Sequence, residues 1–232
     1  MTTVTFGELS FELRHSAKRR TVGITVERDG SLILDTPPEI STDALAKVVQ
    51  AKRFWIYSKI LKKKAMTAPL HSREYVTGEG FYYLGRSYRL KLVDENSAQP
   101  ALRLYQSRFE FQRSAKEFGK TYFIDWYRLH LLPILEQEIN QLKNRVGAEP
   151  RSINIRELGY RWGSCGHKGD LNFHWRVALL PRSAISYIVS HELIHLVEPN
   201  HTKDFWERLE RIIPDYSDRK EWLAKNGAAY DL

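Results

Sequence analysis

The sequence is poor in cysteine and has no long apolar run, and each absence excludes a class of protein. Cys165 is the only cysteine among 232 residues, which excludes an intrachain disulfide and a zinc site built on several cysteines. No apolar run approaches the roughly 20 residues of a membrane span, and the N-terminus lacks a basic segment followed by an apolar one. We therefore expect a cytoplasmic protein that makes no membrane contact.

The chain also lacks a Pro-, Gly- or Ser-rich linker, an internal sequence repeat and a low-complexity segment. A hydrophobic content of 42% and six tryptophans predict a folded globule of one large domain or two small ones. Strand-like alternation dominates residues 1–113, and helical patterns dominate residues 114–232. The sequence predicts an α+β protein whose β-rich N-terminal module packs on a more helical half.

The N-terminal module shows period-two alternation in three stretches. Residues 2–13 and 21–36 alternate apolar and polar side chains, and Asp29-Gly30 is a hairpin-turn signal. Residues 80–111 form a second, aromatic-rich β stretch. Between them, the apolar spacing predicts one helix from about Thr42 to Lys64.

The second half begins with a long helical pattern over residues 114–147, which predicts two helices or one helix kinked at Pro133. Residues 152–158 and 171–180 are typical of strands, joined by a glycine-rich loop. In the second strand, Asn172, His174 and Arg176 share one face.

Positive charge is concentrated in the N-terminal module. The net charge is +8, and residues 1–113 carry 19 Lys and Arg against 12 Asp and Glu. Arg14, the run from Lys18 to Arg20 and the run from Lys62 to Lys64 could attract a polyanion. A solvated basic face is the competing interpretation.

The motif His191-Glu192-Leu193-Ile194-His195 lies inside an apolar helical pattern. On an α-helix the two imidazoles are one turn apart on the same face, so both can bind one metal ion. Glu192 is displaced by roughly 100° around the helix, which leaves it beside the ion and able to take a proton from water. The competing interpretation is a surface helix with coincidental histidines.

A third ligand is expected at His201, because catalytic zinc usually keeps three protein ligands and one open position. Pro199 should end the helix near Val197. A left-handed turn at Asn200 would then bring His201 back toward the first two rings. One zinc ion per chain is the first expectation, although imidazole also binds other divalent transition metals.

Other residues near the motif are weaker candidates. Arg161, in the glycine-rich loop, could stabilise negative charge on a substrate or form a structural salt bridge. The strand predicted at residues 171–180 could pair with an extended peptide, with Asn172 and His174 facing the cleft. Cys165 is expected to be a small buried side chain rather than a catalytic thiol.

Several segments resemble the YgjP-like family of zinc metallopeptidases, which is related to SprT-like and WLM domains in the zincin group. They are RWGSC, the segment LNFHWR, HELIHLVEPNHTKDFW and, in the N-terminal half, GEGFYYLGRSYRL. The resemblance implies a zincin-like catalytic half and hydrolysis by a metal site. It also implies a peptide substrate, although some relatives are associated with nucleoside triphosphates.

Three functions therefore remain open from the sequence. The first is a zinc metallopeptidase that uses Glu192 as general base. The second is a metal-dependent nucleoside triphosphate (pyro)phosphohydrolase in which Arg161 and Arg176 neutralise phosphate charge. The third, a nucleic-acid-binding module with a structural metal, is disfavoured because a structural site is normally closed by four ligands and needs no base.

Overall fold

The computed structural model describes residues 2–17, 19–27, 30–66, 73–159 and 161–232. The chain forms two compact units, Met1–Pro69 and Leu70–Leu232. Within the described residues there are five α-helices and three small sheets. The predicted α+β class is confirmed.

The first unit contains one four-stranded sheet and one long helix. Its elements are Thr2–Phe6 (β1), Leu9–His15 (β2), Gly23–Val26 (β3), Leu32–Thr36 (β4) and Thr42–Met66 (α1). The strand order is β1-β2-β4-β3, with a parallel central pair and antiparallel outer pairs. Val26 pairs with Leu32, so a hairpin forms where it was predicted, although Asp29 of the turn lies outside the described residues. The core of this first unit contains the fully buried Phe11, Leu34 and Ile56.

The second unit begins with a sheet of the same topology. Its strands are Gly80–Tyr83 (β5), Arg86–Val93 (β6), Leu102–Tyr105 (β7) and Arg108–Gln112 (β8). Their order is β5-β6-β8-β7, again with a parallel central pair and antiparallel outer pairs. A long helix, Gly119–Val146 (α2), follows after a short 3-10 helix. The four-strand and helix arrangement therefore occurs twice, although no repeat is apparent in the sequence.

Aromatic side chains join this second sheet to α2. The Phe81 and Phe123 rings stack with centroids 4.1 Å apart, and the Phe109 and Trp126 rings meet edge to face at 4.9 Å. Tyr127 donates a hydrogen bond to the Tyr82 carbonyl at 2.8 Å. These rings form one core with the C-terminal helices. The compact units consequently part at Pro69 rather than near residue 113, the boundary that the sequence suggests.

Helix α2 runs through Pro133 without a break. Proline removes the hydrogen bond to the carbonyl four residues earlier, which belongs to Leu129. That residue is 72% exposed, so water can satisfy its carbonyl. Of the two alternatives that the sequence left open, the structure has the single helix, and it ends at Gly147, which is left-handed with φ 78°.

The third sheet has only three strands, Ser152–Arg156 (β9), Gly163–Cys165 (β10) and Asp170–His174 (β11). Their order is β10-β11-β9, so β11 is paired on both sides and β10 forms an edge. The strand predicted at residues 171–180 is wrong beyond His174, because Trp175–Leu179 is a 3-10 helix. Its first turn is capped by the His174 ring, which accepts a hydrogen bond from the Arg176 N–H at 3.1 Å.

Three further helices complete the unit: Arg182–Ile194 (α3), Lys203–Ile212 (α4) and Tyr216–Asn226 (α5). Ile185, Val189 and Leu193 of α3 are fully buried, as their helical spacing predicts. Contacts with α2, α4 and α5 surround this helix. Among the described helices, none has the length and apolar character needed to cross a bilayer.

The basic clusters of the first unit gain no support as a polyanion site. Arg14 pairs with Glu12 at 2.8 Å, and Arg19 lies 3.7 Å from Asp35. Lys18 and the side chains of residues 62–64 lie outside the described residues.

The fold predicts that Phe123 is essential to the aromatic core. Replacement of this fully buried ring by Ala should lower the free energy of unfolding by about 3–5 kcal/mol. The neighbouring Tyr122 is 39% exposed, so Tyr122→Ala should cost less than about 1 kcal/mol. Urea denaturation of both variants measures the difference. Equal losses would contradict the packing described.

Candidate metal centre

Helix α3 and the loop after it bring three histidines together. His191 and His195 lie one turn apart near the end of α3, and His201 precedes α4. Their ligand atoms all lie within 4.8 Å of one another. The Nε2 atoms of His191 and His201 are 2.9 Å apart.

The chain reverses between His195 and His201 through a sequence of tight turns. The Val197 N–H donates to the Ile194 carbonyl at 3.0 Å, so the end of α3 tightens toward a 3-10 turn. The left-handed conformation predicted for Asn200 is wrong, since that residue has no positive φ. The Asn200 carbonyl instead accepts a hydrogen bond from the Thr202 N–H at 2.8 Å. Thr202 then caps α4 by accepting from the Phe205 N–H at 3.5 Å.

Two kinds of contact fix the imidazole rings. The Nδ1 atom of His195 lies 3.0 Å from the Glu198 carbonyl, which orients the ring and leaves Nε2 as the ligand atom. The fully buried Phe205 ring lies 4.7–4.9 Å from all three histidine rings. The sequence pattern places Phe205 on the inner face of α4 but gives no sign of this contact with the histidines.

The geometry and charge of the cluster fit a divalent metal. Ligand nitrogens around tetrahedral zinc, each about 2.0–2.1 Å from the ion, stand roughly 3.3 Å apart. The Nε2 atoms of His191 and His201 are 2.9 Å apart, and all the ligand atoms lie within 4.8 Å of one another. Burial lowers the pKa of His191 to about 3 and also lowers the pKa of His201. Both rings are therefore neutral at pH 7, which is the form that binds metal.

Glu192 is buried beside the cluster, at 7% exposure. Burial raises the pKa of its carboxyl group to about 7, while the positive charge of Arg161 acts in the opposite direction. The side chain lies against Gly163 of β10. A Cβ atom at Gly163 would lie 2.7 Å from Glu192 Cγ and 2.8 Å from Oε1. Gly163, which the sequence analysis did not single out, is therefore the residue that leaves room for Glu192.

A cavity of about 500 Å³ opens over the histidines and Glu192. All three residues of β10 line it, together with Arg161 and His167. Cys165 is half-buried within this wall, and burial raises the pKa of its thiol. A raised pKa leaves little thiolate at neutral pH, which agrees with the prediction that Cys165 is not a nucleophile.

Of the predicted substrate residues, Arg161 lines this cavity but Asn172 and His174 are absent from its described lining. His174 is 1% exposed, and its Nε2 lies 2.6 Å from a carboxylate oxygen of Glu157. His174 therefore points into the protein and not into the cleft, while Asn172 on the same face is half-buried. Arg176 is also buried and donates to Asp231 at 2.8 Å, so the phosphate-binding role considered for it does not agree with its surroundings.

Comparison with known proteins identifies the family of this chain. The model of the YgjP-like family, a metallopeptidase domain, matches residues 20–226. The chain belongs to this family. Membership supports a metal-dependent peptidase, and the three histidines are the group that would hold its metal. The YgjP-like resemblance noted in the sequence is confirmed.

Among solved structures, the chain is similar to the metallopeptidase zymogen abylysin of Pyrococcus abyssi, with 25% identity and a TM-score of 0.35. The match covers 40% of this chain and 97% of that one. No curated protein matches the sequence.

The site predicts that zinc binding depends on His201 and not on the neighbouring His167. Purified His201→Ala should retain much less zinc than the wild-type protein, because only two ligands remain. His167→Ala, which alters the same cavity outside the cluster, should retain wild-type stoichiometry. Metal analysis by mass spectrometry after zinc loading and dialysis compares the variants. Equal zinc content in His201→Ala and wild type would refute the three-histidine site.

Proposed function

We propose that this chain is a metallopeptidase whose divalent metal, zinc in the first instance, is held by His191, His195 and His201. The observation that carries the proposal is the convergence of three imidazoles beside the buried carboxyl group of Glu192. A metal held there would act as a Lewis acid, polarising the peptide carbonyl and lowering the pKa of water. The family supports the same reaction class.

Glu192 is the proposed general base. Its carboxylate takes a proton as water adds to the peptide carbonyl carbon, and it returns a proton to the nitrogen as the C–N bond breaks. Burial against Gly163 limits the positions that the Glu192 side chain can adopt. A group so held needs little reorganisation when the reaction begins.

The edge strand β10 is the proposed docking site for the substrate backbone. Within the described sheet only its side toward β11 is paired, and Gly163, Ser164 and Cys165 all line the cavity. An extended peptide can add to such an edge through main-chain hydrogen bonds. This assignment replaces the one made for residues 171–180, because β11 has no free edge.

Arg161 is the proposed electrostatic contact for the substrate. Its positive charge acts on Glu192, and its side chain lines the cavity, so it can attract a substrate carbonyl or carboxylate oxygen. The nucleotide alternative required Arg176 as a second phosphate contact. That arginine is buried against Asp231, and the peptidase is therefore the function we propose.

The proposal predicts that Glu192→Gln abolishes hydrolysis without loss of metal. Turnover of a mixed peptide library by zinc-loaded protein should fall by at least about 100-fold, the usual contribution of a positioned base. Glu207→Gln, on the outer part of α4, is the matched control and should retain wild-type turnover. Zinc content is measured in parallel.

The same proteins are incubated separately with nucleoside triphosphates. Phosphate or pyrophosphate release that depends on Glu192, with no peptide cleavage, would overturn the peptidase proposal. Peptide cleavage that survives in Glu192→Gln would exclude Glu192 as the base.

A second prediction concerns Gly163, the residue of β10 against which the Glu192 side chain lies. Gly163→Ala should displace the Glu192 carboxylate, because the new methyl group would lie 2.7 Å from Glu192 Cγ. We expect kcat for a cleaved peptide to fall at least tenfold with zinc content unchanged. Gly166→Ala is the control, since its Cβ would have only an ordinary contact, 3.5 Å from the Asp170 carbonyl oxygen. Equal kcat values in the two variants would show that Gly163 does not position the base.

A further inference from the structure

A second, smaller cavity adjoins the metal centre. Its volume is about 210 Å³. It shares Arg161, Gly163, His191 and Glu192 with the larger cavity. Because these four residues form a common wall, a molecule bound over the histidines can extend one group into the second cavity directly beside Glu192.

The residues that line only the second cavity, and not the larger one, form an apolar wall. It consists of Trp162, Tyr187 and Ile188 of α3, and Leu223 of α5. Apart from the Trp162 indole N–H and the Tyr187 hydroxyl, these side chains present only carbon. A polar group that entered would lose hydrogen bonds to water and regain few of them here.

The indole of Trp162 is held in place from two sides. The Arg176 guanidinium lies over the ring, 5.3 Å from its centroid, and Arg176 is itself buried and paired with Asp231. On another side, a Cβ atom at Gly227 would lie 2.9 Å from Trp162 Cζ2, so the ring packs against the end of α5 where only glycine fits. The apolar wall is therefore formed before any substrate arrives, and Arg176 acts on the site through Trp162.

From this geometry we infer that the second cavity is a specificity pocket for one apolar side chain of the substrate, adjacent to the scissile bond. The inference rests on the proposed peptidase function. A volume of about 210 Å³ is below the roughly 300–1,000 Å³ of pockets for drug-sized ligands, and it suits a single side chain such as Leu, Ile or Phe. Leu223 lines the pocket from α5, whereas the metal ligands belong to α3 and the loop after it, so a substitution at Leu223 should change the size of the pocket without altering the metal ligands.

The cleavage profile of a peptide library tests the pocket. The zinc-loaded wild-type protein should prefer Leu, Ile or Phe over Ser or Asp by at least about tenfold in kcat/KM at one position flanking the cleaved bond. Leu223→Ala should move that preference toward larger side chains, and Leu223→Phe should move it toward Ala and Val. Other positions of the profile should not change.

Leu142→Ala is the matched control for these variants. Leu142 and Leu223 are nearly equally buried, at 8% and 9% exposure, so both Ala variants lose a similar amount of packing. Leu142 is not part of the described lining of either cavity, and its loss should leave the profile unchanged. An unaltered profile in both Leu223 variants, or the same change in Leu142→Ala, would overturn the inference.

A binding measurement tests the apolar pocket without relying on catalysis. The indole N–H signal of Trp162, assigned by its loss in Trp162→Phe, is followed by NMR while N-acetyl-leucinamide or N-acetyl-serinamide is added to the wild-type protein. We expect a concentration-dependent shift with the leucine compound alone, and loss of that shift in Leu223→Phe. If no peptide is cleaved but this shift occurs, the proposed function fails and the apolar pocket stands. The absence of a shift together with the absence of an apolar preference would refute the pocket.

Discussion

The site depends on the reversal of the chain between His195 and His201. Helix α3 alone supplies two imidazoles, and two ligands bind a divalent metal weakly compared with three. The third ring is positioned by short-range contacts, namely the hydrogen bond between the His195 ring and the Glu198 carbonyl and that between Thr202 N–H and Asn200. The Phe205 ring then packs against all three histidines. A local turn and one aromatic side chain thus convert a helix with two histidines into a metal centre.

The buried position of Glu192 is unfavourable for the stability of the fold. An ionised carboxylate is costly to bury without partners, and burial accordingly raises the pKa of this group. The apolar residues of α3 offset that cost, since Ile185, Val189 and Leu193 on its other face are fully buried. Ionisable groups that are buried at a cost in stability are typical of functional sites. Gly163 makes the arrangement sterically possible, because a side chain at position 163 would occupy the space of the Glu192 side chain.

The parts of the site that follow local sequence rules could be predicted. The spacing of His191 and His195 follows from helical geometry, and the cap at Thr202 follows from its position before an amphipathic helix. Residues 175–179 could not be assigned in this way. All five are fully or almost fully buried, and all but Arg176 are apolar. Such short runs do not distinguish strand from helix.

Long-range packing accounts for the other differences. The compact units divide at Pro69 and not near residue 113, because the rings of β5 and β8 pack on α2, a contact that no local pattern reveals. His174 resembled a cleft residue by strand alternation, yet its carboxylate partner Glu157 lies on the chain beyond β9. The contact of Gly163 with Glu192 joins an edge strand to a helix and likewise requires the tertiary structure.

X-ray absorption spectroscopy at the zinc edge of the zinc-loaded protein tests the central claim most directly. We expect a first shell of three imidazole nitrogens at about 2.0–2.1 Å and one further light atom, with no sulfur. Removal of His201 should reduce the imidazole count by one. A sulfur scatterer at about 2.3 Å, which would require Cys165, or a wild-type shell with fewer than three imidazoles would contradict the account.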